Sequence, residues 1–265
     1  MTRPSERPID AATYADAERR LGVLLDTSED VLLLQGEAIL VLEATARSLG
    51  GPGVRALNLV SGPYGEVLGD WLAVGGASVE HLSVELDRAL DPEVVRATLA
   101  RTQFDVVSVV HAEAATGIVN PLGEIAAAAH EAGAIVLVDA VASVGAEPLP
   151  IDAFDLDLTM LGPQKATGGP AGVCALIAND RGWAQIAANP TAPRNSILSL
   201  LDWKERWIDT GRQSLPGYAY TYEMQALLEM LDELEGRLLA NSGALSEAQE
   251  MAVRAARAGG NRGTK

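Results

Sequence analysis

Residues 134–177 read AIVLVDAVASVGAEPLPIDAFDLDLTMLGPQKATGGPAGVCALI. Two apolar runs, 134–138 and 158–161, each end in an abrupt change of chemistry. Asp139 follows the first, and Gly162-Pro163-Gln164-Lys165 the second. A third run, 172–177, follows a glycine-rich turn. Runs that are apolar at every position, rather than at alternate ones, are strands buried on both faces, as in a parallel sheet covered by helices. The same alternation extends towards the N-terminus. Residues 31–34 precede the helical GEAILVLEATARSL, 54–60 precede a helical stretch through Asp70 and Trp71, and 79–84 precede a helix opened by Asp91-Pro92. The run 105–110 precedes the Ala-rich helix 121–132, and 151–157 is a loop of repeated aspartates. The fold class is therefore α/β, a mainly parallel sheet with helices on both faces. Beyond Ala178 the pattern is helical. Trp183, Trp203 and Trp207 act as packing anchors, and 219–240 form one long amphipathic helix.

Composition narrows the function. With 265 residues and 48% hydrophobic content, the chain can bury a large core. A net charge of -16 argues against nucleic acid, whose partners concentrate Lys and Arg. The acidic residues are dispersed as solvated helix faces and loops. Three histidines (His81, His111, His130) lack metal-ligand spacing, so no metal site is expected. The single cysteine, Cys174, lies in the apolar GVCALIA and reads as a buried small hydrophobe. No apolar run approaches the ~20 residues that span a bilayer, and residues 1–20 carry no apolar signal region. The expectation is a cytoplasmic protein without a membrane partner.

In parallel sheets ligands collect at the carboxyl ends of the strands. Gly36, Ser61-Gly62, His111, Asp139 and Lys165 all fall at or just past such ends. An aspartate closing one buried strand, with a lysine just past the next apolar run, is what a pyridoxal phosphate site needs. The lysine amine forms a Schiff base with the cofactor aldehyde, and the carboxylate keeps the pyridine nitrogen protonated. No Gly-x-Gly-x-x-Gly follows the first strand, which removes a dinucleotide-binding reading.

Residues 117–173, and most specifically VDAVAS through PQKATGGPAG, resemble the core of the class V aminotransferases, nearest the alanine–glyoxylate and serine–pyruvate group. The likeness runs over most of residues 30–235. It implies the large domain of a type I pyridoxal phosphate enzyme, working as a homodimer with sites near the subunit interface. Its reaction would move an amino group from an amino acid to a small 2-oxoacid such as glyoxylate or pyruvate. By position, Asp139 would partner the pyridine nitrogen, and Lys165 would be the Schiff-base lysine and the base that moves the proton. Gln164 would contact the phosphate, Tyr64 would stack on the ring, and His111 would lie beneath it. Thr116 would supply a hydroxyl, Ser214 would reach the neighbouring subunit's phosphate, and Gly36-Glu37-Ala38 would be the phosphate loop. The residues alone leave Tyr64 open as a turn residue, His111 as a packed strand-end histidine and Thr116 as a turn cap. The implied division is an N-terminal arm (1–29), a cofactor-binding large domain (30–240), and a helical remnant with a disordered tail (241–265), the small domain being largely missing.

The departures from that family are specific. Its phosphate loop carries hydroxyls at the mouth of a helix whose amides cradle the phosphate. Here Gly36-Glu37-Ala38-Ile39 has none, and Glu37 brings a negative charge. Ala114 replaces a hydroxyl residue in HAEAATG. The small-domain arginine that grips a substrate carboxylate is expected to have no counterpart after about residue 255; a substitute would come from this chain, as Arg194 or Arg212, or from a partner, and the sequence selects none. Two other functions stay open at this level. One is a pyridoxal phosphate lyase acting by elimination, although a desulfurase would need a mobile cysteine. The other is a degenerate, non-catalytic paralogue.

Overall fold

A computed structural model describes residues 9–217, 219 and 221–240; the segment read as 241–265 lies outside the described residues. In chain order the strands are β1 (Asp30–Leu34), β2 (Arg55–Val60), β3 (Ser78–Ser83), β4 (Val106–Val110), β5 (Ala112–Glu113), β6 (Ile118–Val119), β7 (Ile135–Asp139), β8 (Leu158–Leu161) and β9 (Cys174–Ala178). The helices are α1 (Ala11–Leu24), α2 (Ala38–Leu49), α3 (Pro63–Gly75), α4 (Pro92–Leu99), α5 (Leu122–Glu131), α6 (Asp180–Ala188), α7 (Leu200–Trp203) and α8 (Thr221–Ala240), with one π-helical turn at Lys204–Ile208.

Seven strands form one sheet in the order β1-β9-β8-β7-β4-β2-β3. Neighbours from β8 to β3 pair parallel, while β9 pairs antiparallel with both β8 and β1. β9 is thus the reversed strand, and β1 points the same way as β8. Strands β4, β7 and β8 are buried along almost every residue, which is why they read as unbroken apolar runs. β3, at the sheet edge, alternates exposed and half-buried residues. The small hairpin of β5 and β6, two residues to a strand, is too short to have been legible in the sequence.

Parallel pairing requires a crossover after each strand, and the sequence starts those helices with recognisable caps. Asp91 accepts the amide of Glu93 at 2.9 Å before Pro92 at the start of α4; α6, which follows the last strand and is no crossover, is capped in the same way by Asn179, which accepts the amide of Gly182 at 2.9 Å. A helix that composition alone did not mark, α1, is capped by Asp10, which accepts from Thr13 at 2.8 Å. It packs on the sheet and on α8. Tyr14 donates to the Leu33 carbonyl at 2.7 Å, and Arg20 forks onto Glu235 and Asp232. The tryptophans sit where expected. Trp207 is fully buried with its ring edge-on to Tyr14, Trp203 stacks on the same tyrosine at 6.0 Å, and Trp183 is on the buried face of α6.

The edge of the sheet opposite the strand carboxyl ends is fastened by one carboxylate. Asp157, fully buried just before β8, accepts from the Val136 amide at 2.8 Å, Asn179 at 3.0 Å and Arg181 at 2.7 Å, and pairs with His130 at 2.8 Å. Burial alone would raise its pKa; His130, Val136, Asn179 and Arg181 together outweigh that and lower it. We expect Asp157→Ala to destabilise the fold by about 3 kcal/mol in urea unfolding at pH 7, because it strands buried donors at once. Since the wild-type carboxyl is held below its unfolded pKa, this contribution is present above the unfolded value and fades as pH falls through the folded one.

Candidate active site

The parallel strands deliver their carboxyl ends to a single edge, and a cavity of about 210 Å³ opens there. Glu37 and Ala38 reach it from the start of α2, Tyr64 from the start of α3, Asp139 from the end of β7 and Lys165 from the loop after β8. Lys165 Nζ stands 5.1 Å from the centroid of the Tyr64 ring, so the amine and the aromatic face bound the same space.

Asp139 is the most perturbed acid there. It is almost completely buried, and Oδ1 accepts the Val141 amide at 2.9 Å. Burial pushes its pKa up to about 6. The Val141 amide and the Lys165 charge pull against that, while Glu113 and Glu37 add to it. Such a carboxylate is poised for a cationic partner, whose arrival would offset the cost of keeping it ionised.

The remaining expected positions fall into two groups. Gln164 and Gly36 sit next in sequence to the lining residues Lys165 and Glu37 without lining the cavity: Gln164 Nε2 donates to Glu37 Oε1 at 2.6 Å, and a Cβ at Gly36 would collide with Leu40. His111 is buried beside Asp139, its amide donating to the Asp139 carbonyl at 2.9 Å. Its ring Nδ1 has no hydrogen-bond partner, and burial lowers its pKa against the opposing field of Glu147. Thr116 sits in the β5–β6 turn, where Oγ1 accepts the Ile118 amide at 3.3 Å, and Ser214 is exposed in the loop before α8; neither lines the cavity.

Sequence reading missed Glu113. Its side chain is fully buried against Gly62, where any Cβ would collide with it. Burial raises its pKa, and the amides of Tyr64, Ala115 and Gly65 oppose the rise. Neither carboxylate oxygen has an aligned donor, so the Tyr64 and Gly65 amides at the start of α3 and the Ala115 amide in the β5–β6 turn act as a positive field rather than as formed bonds. The signal was a lone Glu within HAEAATG, with nothing in composition to show that it turns inward.

Arg194 pairs with Glu205 and Asp202, and Arg212 with Glu18 and Asp30. Both are committed to structural pairs, and neither lines the cavity. Cys174 is fully buried in β9, its thiol donating to the Leu34 carbonyl at 3.7 Å, and burial pushes its pKa up to about 12. A thiol so placed has no route to a bound substrate.

A parallel sheet with an acid at one strand end, a lysine past the next and an aromatic face opposite defines the large domain of the type I pyridoxal phosphate enzymes. Residues 70–196 match the family model described as aminotransferase class-V. The chain is 38% identical to the pyridoxamine–pyruvate transaminase of Mesorhizobium japonicum over 181 residues, 68% of this chain and 46% of that protein. The crystal structure of the pyridoxamine–pyruvate aminotransferase from Mesorhizobium loti superposes with a TM-score of 0.81 at 33% identity, covering 86% of this chain and 58% of that one. The alanine–glyoxylate aminotransferase from Nostoc gives 0.78 at 25% identity, over 86% and 62%. The chain belongs to the class V aminotransferase family. It spans about half the length of the curated relatives it matches.

The elevated Asp139 pKa carries a stability cost in the ligand-free protein. A raised folded pKa means stability is full below the unfolded value near 3.8 and is lost as pH rises through about 6. Asp139→Asn should therefore be more stable than wild type at pH 7 by about 1–3 kcal/mol, with the gap closing towards pH 4, in urea titrations without added cofactor. A gap independent of pH would contradict the assignment.

Proposed function

We propose that this chain is the cofactor-binding part of an aminotransferase that passes an amino group to a small 2-oxoacid such as pyruvate or glyoxylate. The observation that carries the reading is the convergence of Asp139, Lys165 and Tyr64 on one cavity. The family's group is pyridoxal phosphate, and its ring fits these residues: a buried acid short of a cation, an amine and an aromatic face. When bound, that group supplies an aldehyde for amines and a ring that takes up the electron pair left by a broken Cα–H bond.

The roles of the chain's own residues follow from position. Asp139, ionised by a pyridinium neighbour, would hold that nitrogen protonated. Tyr64 would cover one face of the ring and fix its plane. Lys165 Nζ would be the amine that meets the aldehyde, and would serve as the base that takes and returns the proton at the substrate Cα. His111, neutral by burial, would pack under the ring end, and Gln164 would border the phosphate side. Thr116 would act at most through its turn, and Ser214 would reach a neighbouring subunit's site.

Three apolar residues at the cavity mouth, Ile39 (54% exposed), Tyr64 (45%) and Val67 (38%), support a homodimer whose second subunit covers them. The same reading takes residues 30–240 as the large domain, an amino acid and a 2-oxoacid as substrates, and the cytoplasm as the location. Among the described residues no helix is long and apolar enough to cross a membrane. The Mesorhizobium relative suggests a second donor, pyridoxamine.

Lys165→Ala should cut transamination with pyruvate or glyoxylate by at least about a hundredfold and abolish the borohydride-trapped adduct at this position. Full activity in the variant would end the reading.

A further inference from the structure

Glu113 is a fully buried carboxylate that the roles above leave unused. Ala112 and Ala114 on either side of it line the cavity, and alternation along the strand turns its own side chain to the opposite face. There it lies against Gly62, whose φ of 174° is extended backbone that any residue adopts. What calls for glycine at 62 is space: a Cβ would collide with the Glu113 Cγ and carboxylate.

Gly62 is the N-cap of α3, and that helix starts without a side-chain cap, whereas α1, α4 and α6 are capped by Asp10, Asp91 and Asn179. Pro63 brings no amide, so the positive end of α3 rests on the amides of Tyr64 and Gly65, which have no acceptor within the helix. These two amides, with that of Ala115, are the ones whose field opposes the effect of burial on Glu113. Asn120, directly after β6, also ties the hairpin to the residue before Gly62: it donates to Ser61 Oγ and to the Val110 carbonyl, each at 2.8 Å. Tyr64 itself is half-exposed, so the place of its ring beside Lys165 is set by the backbone that carries it.

From this arrangement we propose that Glu113 is a positioning residue: it supplies from β5 the cap that α3 lacks, and so fixes the Tyr64 backbone and the plane in which the Tyr64 ring bounds the cavity. The inference rests on the reading of that cavity as a pyridoxal-type site and adds to it a residue that does not line it. The Glu113 charge also reaches Lys165 and Asp139. An effect through that charge alone is felt whether or not the Tyr64 ring is present, while an effect through position requires the ring.

The test is a double-mutant cycle on the full chain with Glu113→Gln, Tyr64→Ala and the pair. Each protein is titrated with pyridoxal phosphate and, in parallel, with pyridoxal. Binding is followed by absorbance and by borohydride trapping at Lys165. With Tyr64 present, Glu113→Gln should weaken binding of the aldehyde that wild type holds better by at least about tenfold. At saturation it should also weaken the visible circular dichroism of the bound ring, which reports a fixed ring plane. In the Tyr64→Ala background the same substitution should change affinity by less than about twofold. Unfolding curves check that each variant is folded, and Glu113→Met, similar in size and without polar oxygens, takes the place of Glu113→Gln if that variant does not fold, with the same expectation. The proposal is overturned if the substitution leaves affinity unchanged with Tyr64 present, or if the loss is as large without the ring as with it. If neither aldehyde is trapped on Lys165 in wild type, the aminotransferase reading itself fails, and this inference with it.

Discussion

Strands β2, β4, β7 and β8 run the same way, so their carboxyl ends must lie along one edge, and the residues following each strand must meet there. No local preference of Asp139, Lys165 or Tyr64 brings them together. They are separated by 26 and 75 residues of sequence from Asp139 and converge because each follows a buried strand in register with its neighbour. Val110 is paired with Asp139, and Asp139 with Met160. A slip of one residue in either ladder would turn the aspartate to the other face of the sheet. The Asp157 cluster fastens the opposite edge, holding the starts of β7 and β8 together while leaving the carboxyl edge free for chemistry.

That division explains why so much was legible. Strands buried on both faces announce themselves as continuous apolar runs, and the boundaries of β4, β7 and β8 fall within a residue or two of the apolar stretches at 105–110, 134–138 and 158–161. Asp139 and Lys165 stand out because each interrupts such a run. The harder elements are those whose burial depends on distant partners. α1 carries Glu18 and Arg20 on its inner side, residues that read as solvated. Glu18 is in fact buried and held by the Leu33 amide, Trp207 and Arg212. Glu113 is hidden for the same reason: a carboxylate turned inward is indistinguishable in sequence from one turned out.

The cavity concentrates unfavourable electrostatics that elsewhere in the chain are relieved. Asp157 is as buried as Asp139, yet its donors hold its pKa below the ordinary value, whereas Asp139 has one amide and a lysine and rises to about 6. The difference is the number of donors supplied by the fold. A fold that supplied Asp139 with the same set would gain stability and lose a group able to respond to a bound cation. Strain of this kind is characteristic of sites that bind.

Glu37 fits the same logic from the opposite direction. Ser, Thr, Asp and Asn are the residues that cap helices well, and a longer acid at the N-cap has no advantage for the helix beyond favourable interaction with its positive end. Here that acid lines the cavity, and its second oxygen accepts from Gln164, the residue before Lys165. The negative end of Glu37 therefore belongs to the site as well as to α2.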